Sequence, residues 1–173
     1  MEYEFILKYA LPDENVDSSQ YLDALFEAGC DDATIGTGKT GAIALEFVRE
    51  AASADAAVLS AIADVKKAIP DAELIEVSPD LVTPTEIASV IGCSRQNIQK
   101  MIANPNKRFP SPIHQSAAGG IWHLEPVLRW FMADGVSINQ NLLEIAEVSM
   151  TANLIQQSQK LNPNIQSKMM DSL

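Results

Sequence analysis

The chain has 173 residues, 47% of them apolar, with a formal net charge of −11. That length makes one or two domains, with enough apolar material for a core that needs no disulfide or metal staple. Cys30 and Cys93 lie too far apart to form a disulfide framework or a metal-ligand spacing. No segment reaches the ~18 consecutive apolar residues of a membrane span, and the acidic, alternating start MEYEFILKYAL is unlike the basic region of a signal peptide. A reducing cytoplasm is the expected setting, with no membrane partner.

Charge is uneven along the chain. Residues 1–82 hold 5 Lys/Arg against 17 Asp/Glu, residues 83–131 hold 5 against 2, and residues 132–173 hold 2 against 4. An acidic module is therefore expected to precede a mildly basic one.

Residues 2–11 alternate Tyr3, Phe5, Leu7 and Tyr9 with Glu2, Glu4, Ile6 and Lys8, which predicts a strand. Asp17 with Gln20 predicts a helix start, and Leu22, Leu25 and Phe26 supply the apolar stripe before a stop at Gly29. The stretch TIGTGKTGAIALEF then poses a choice, because Gly38-Lys39-Thr40 looks like the tail of a phosphate-binding loop. That loop would need glycine at Ala33 and would have to open a helix. Instead Ile43, Leu45 and Phe47 alternate as a strand, so the glycines are expected to turn a β-hairpin with Lys39 solvated at its tip. Ser53 predicts the cap of a second helix with Val58, Leu59, Ile62, Val65 and Ile69 on one side, ended by Pro70. Residues 72–77 read as a last strand. The order β-α-β-β-α-β predicts a ferredoxin-like module over 1–80, an architecture that assigns no function by itself.

In LVTPTEIASVIGCSRQNIQKMIANP, Thr83 caps a helix, Pro84 takes its first position and Glu86 completes a capping box. Ile87, Val90 and Ile91 are expected to face inward, Gly92 to make a tight turn, and Ser94 to cap a second helix anchored by Ile98, Met101 and Ile102. The face opposite these anchors carries Arg95, Gln96, Asn97, Gln99 and Lys100, and no acid occurs from Ser94 to Asn106. Arg can bond a guanine edge in two places, and Gln or Asn an adenine edge, while the missing acids suit a phosphate surface.

The spacing of Ala88, Gly92 and the apolar anchors resembles the helix-turn-helix family. Downstream, Phe109-Pro110-Ser111-Pro112, two short strands around SAAGG, and Trp122 leading into a helix with Val127, Leu128, Trp130 and Phe131 extend the likeness. Residues 83–131 as a whole resemble the winged domains of excisionase and AlpA-like regulators, relatives of the MerR DNA-binding domain. The resemblance implies a winged helix-turn-helix domain over 81–134, with its recognition helix, 94–104, docked in the major groove of double-stranded DNA. The expected contacts are Ser94, Arg95, Gln96, Asn97, Gln99 and Lys100 on the helix, with Lys107, Arg108 and His114 at the wing. The wing tip Ser116–Gly120 departs from the pattern in having no Arg or Lys, so Lys107 and Arg108 at its base are the expected phosphate contacts. His114 and His123 could face each other across the wing, but two His without a third ligand make a poor metal site.

From Ser137 an amphipathic helix is expected to about residue 161, with Ile138, Leu142, Ile145, Ala152 and Ile155 on its stripe and Leu143, Ala146 and Leu154 widening it. It would serve as a dimer interface or pack on its own chain, the former being favoured; residues 162–173 are expected to be a disordered tail. The fold class expected is thus α+β. The function expected is that of a sequence-specific DNA-binding regulator acting as a homodimer, with no cofactor and no metal. An antitoxin-type protein, whose acidic module binds a protein partner while its helix-turn-helix autoregulates, is the alternative, and a ligand-responsive regulator the third. No nucleophile–base pair or carboxylate dyad points to an enzyme.

Overall fold

The computed structural model describes residues 1–117 and 119–172; Ala118 at the expected wing tip and Leu173 in the expected tail lie outside the described residues. The chain is α+β, with two antiparallel sheets and seven α-helices among the described residues.

The first sheet is built from β1 (Glu2–Ala10), β2 (Ala33–Gly36), β3 (Ala42–Glu50) and β4 (Glu73–Ser78), in the order β2-β3-β1-β4. Strict alternation sets which face is covered: Tyr3, Phe5, Leu7 and Tyr9 of β1 and Ile43, Leu45 and Phe47 of β3 are buried, while Glu2, Glu4, Glu46 and Glu50 lie on the open face. Helices α1 (Leu22–Ala28) and α2 (Ala54–Ala68) contribute Leu25, Val58 and Val65 to this core. Ser53 caps α2 by accepting from the Ala56 N–H, and Gly29 ends α1 at φ 114°. Asp17 caps a short 3-10 turn, Ser18–Tyr21, just ahead of α1. Phe26 at 67% and Leu59 at 63% exposure are corrections to the expected stripes, because the covered arc of each helix is narrower than its apolar one.

The loop that imitates a phosphate site joins β2 to β3, which pair antiparallel, and Lys39 is exposed. Gly41 adopts φ +69°, and a Cβ there would lie 2.6 Å from the Glu14 carbonyl oxygen. Close backbone packing is therefore one reason for glycine at this turn.

The second unit comprises β5 (Leu81–Val82), α3 (Pro84–Ile91), α4 (Arg95–Ala103), β6 (His114–Ser116), β7 (Gly119–His123) and α5 (Leu124–Ala133). Its three strands run in the order β5-β7-β6. Ile87, Ala88, Ile98, Trp122, Leu128 and Phe131 form its core. Val90 is a further correction: it is 39% exposed, on the outer side of α3.

Helix α6 (Gln140–Ser158) connects the two cores. It starts later than expected, capped by Asn139 rather than Ser137. Ile145 enters the first core, and Leu143 and Ala146 enter the second. Leu143, Ile145 and Ala146 are therefore occupied within the protomer, while Leu154 and Ile155, expected on the stripe, are exposed. Beyond it, Pro163–Met170 form a short helix, α7, capped by Asn162, where the sequence reading expects a disordered tail.

Candidate functional site

The geometry of α3 and α4 follows from local chemistry. Thr83 Oγ1 accepts from the Glu86 N–H, and the Glu86 carboxylate accepts from the Thr83 N–H at 2.7 Å, closing the capping box. Gly92 adopts φ 75°, which lets the Cys93 N–H reach the Ala88 carbonyl at 2.9 Å and ends α3. Ser94 then caps α4, its hydroxyl accepting from the Asn97 N–H at 3.2 Å. Ile98 is fully buried and Met101 and Ile102 are partly buried, which fixes the rotation of α4 about its axis.

That rotation turns Arg95, Gln96, Asn97, Gln99 and Lys100 outward, all exposed. Arg95, Gln96, Gln99 and Lys100 line one shallow depression. Among the described residues no carboxylate pairs with Arg95 or Lys100. Four donor-rich side chains thus stand together on a rigid helix with their hydrogen-bonding capacity directed to solvent.

The expected residues outside α4 are less alike. Arg108 and His114 are exposed, and Arg108 adopts φ 48°. Lys107 is exposed but engaged: its Nζ donates to both Asp134 carboxylate oxygens, at 2.8 and 3.0 Å, and lies 5.9 Å from the centre of the Trp130 ring. A phosphate would have to compete with Asp134 for it.

The aromatic residues hold this unit together. Phe109 packs against Trp122, Trp130 and Phe131, and Trp122 Nε1 donates to the Pro110 carbonyl at 2.8 Å. The Phe109-Pro110 segment therefore anchors the connection between α4 and the β6–β7 hairpin. Gly120 lies against the Trp122 ring, where a side chain would overlap it.

His114 and His123 are not opposed. His114 pairs with Ile121, and His123 pairs with Leu81 on the other side of β7. Among the described residues no group of three His, Cys, Asp or Glu is placed to hold a metal ion. His123 Nδ1 instead meets Asp80 Oδ1 at 2.6 Å, and the other Asp80 oxygen accepts from Asn153 Nδ2 at 2.8 Å. Asn153 also bonds both the N–H and the carbonyl of Val77, at 2.8 Å each. This buried network joins β4, β7 and α6, so the α3–α4 unit is fixed to the acidic sheet.

The sequence reading also missed Arg49. It is 7% exposed and donates to Asp32, Ser60, Asp64 and the Gly29 carbonyl. The bonds to Asp32, and then to Asp64, raise its pKa above the ordinary value against the opposing effect of burial. The signal was the strand period, since Arg49 is the next inward position after Ile43, Leu45 and Phe47. Cys30, also buried, has its thiol pushed up to about 11, chiefly by desolvation. Among the described residues no helix is long and apolar enough to cross a membrane. No family model, curated protein or solved structure matches the chain.

Proposed function

We propose that this protein is a sequence-specific DNA-binding regulator that reads the major groove with α4 from a winged helix-turn-helix unit, and acts as a homodimer. The observation that carries the reading is the outer face of α4, which presents Arg95, Gln96, Gln99 and Lys100 together, exposed and without an acidic partner among the described residues. A helix face that is merely solvated usually mixes acids with bases, whereas acids close to phosphates are repelled. The two antiparallel hairpin strands after α4, and the return of the chain into α5, support the winged form. The β2-β3-β1-β4 strand order supports a ferredoxin-like reading of the first module.

Base reading falls to Arg95, Gln96, Asn97 and Gln99, and phosphate contact to Lys100, Arg108 and His114, with Ser94 at the helix start. Lys107 is a weaker phosphate ligand than Arg108, because Asp134 already neutralises it. The acidic open face of the first sheet would repel phosphate and lower non-specific binding. Amide chemical shifts followed while a mixed-sequence duplex is added test the reading. Shifts concentrated in 94–108, with the first sheet unmoved, support it; a titration that leaves α4 unmoved overturns it.

A second reading has one observation in its favour. The open face of the first sheet carries Glu2, Glu4, Glu46 and Glu50 around Val48, which is 46% exposed. Acids around an apolar centre fit a basic protein partner, as in an antitoxin-type protein. Capture of such a partner by the wild-type chain, lost with Glu46→Lys, would favour it.

A further inference from the structure

A groove of about 1020 Å³ runs between α2 and α6, far from α4 in the chain. Its floor is mainly apolar, with Leu59, Ile62, Leu74, Val148, Ala152 and Ile155 lining it, and Leu59 and Ile155 are 63% and 55% exposed. Asp55 and Glu144 on its rim have no basic partner among the described residues. On the same chain stands a surface of the opposite shape and sign. Leu161 lies just ahead of the Asn162 cap, and Ile165 and Met169, four residues apart in α7, share one side of it. The three are 52%, 60% and 52% exposed, and no residue of α7 is buried. Lys168, next to Met169, has no acidic partner among the described residues.

We propose that the α2–α6 groove receives α7 of a second copy of this chain, each protomer inserting its α7 into the other. Ile165 and Met169 lie about 6 Å apart along the helix axis, roughly one turn. Lys168 approaches the acidic rim as Ile165 and Met169 enter the apolar floor. Within the protomer no described residue of α7 lines the groove, although Lys160 on its wall, paired with Glu73 at 2.8 Å, is only two residues from Pro163. Reciprocal exchange of this kind closes as a two-fold dimer. It stands independently of what α4 binds.

Sedimentation of the 173-residue chain, wild type and the double variant Ile165→Asp with Met169→Asp, tests the proposal. Both positions are exposed in the protomer, so the variant keeps its fold. The expected result is a wild-type dimer whose dissociation constant rises about 100-fold in the variant. A second measurement mixes chains carrying Leu59→Cys with chains carrying Ile165→Cys, both with Cys93→Ser, under mild oxidation. A covalent dimer of the two different chains supports the exchange. A monomeric wild type, a variant that dimerises as the wild type does, or no covalent dimer between the two different chains would overturn it.

Discussion

Arg49 and Arg95 show how differently the two halves of the molecule use positive charge. In the first module, every guanidinium nitrogen of Arg49 is bonded inside the protein, to Asp32, Asp64, Ser60 and the Gly29 carbonyl. On α4, Arg95 is exposed with no carboxylate paired to it among the described residues. A charge taken out of water must be matched where it sits, so Arg49 ties α1, β2, β3 and α2 together. A charge left in water contributes little to folding and stays available to an anion. The same residue type is thus structural in one half and a candidate for recognition in the other, and the neighbouring acids decide which.

The largest effect should come from breaking the first term of this comparison. Arg49→Ala leaves Asp32 and Asp64 facing each other half-buried, and is expected to lower unfolding stability by about 3 kcal/mol or more in a denaturant titration. Loss below ~1 kcal/mol would show that the cluster is solvated rather than matched. Next is the joint between the halves. Asn153→Ala removes bonds to Val77 and Asp80 at a buried position, with an expected loss of about 2 kcal/mol, read from the same titration. The α4 variants belong at the other end. Arg95→Ala and Lys100→Ala should each change stability by no more than about 0.5 kcal/mol; a larger loss would mean that these side chains hold the fold.

The two cysteines sharpen the contrast between interior and surface without a mutation. Cys30 is buried with its thiol raised to about 11, so between pH 7 and pH 9 it stays protonated and shielded. Cys93 is half-buried beside the α3–α4 turn. Alkylation followed by peptide mapping should modify Cys93 first, with Cys30 following only at the rate of unfolding. Equal rates would contradict the packing of the first core.

The parts of this molecule that were legible in its sequence are those fixed by neighbours in the chain. The α3–α4 turn follows from Thr83, Glu86, Gly92 and Ser94, whose partners lie within five residues. The alternation in β1 and β3 named their buried faces directly. What pattern could not supply were pairings across the fold. Asp80 finds His123 and Asn153 from more than forty residues away. Asn153 lies on the buried stripe of α6 with Ala146 and Ser149, where the backbone of Val77 needs a partner. Lys107 looked free for phosphate until α5 brought Asp134 beside it. Phe26 and Leu59 looked like core because an apolar stripe does not tell how much of it the sheet covers.

The most direct measurement selects bound duplexes from a random pool with the wild-type protein and then repeats the selection with Arg95→Ala. The account predicts an enriched motif, with half-sites about 10 bp apart for a two-fold dimer, and a loss of base preference at one position of each half-site in the variant. A pool that stays random after selection, or a motif unchanged by Arg95→Ala, would contradict it.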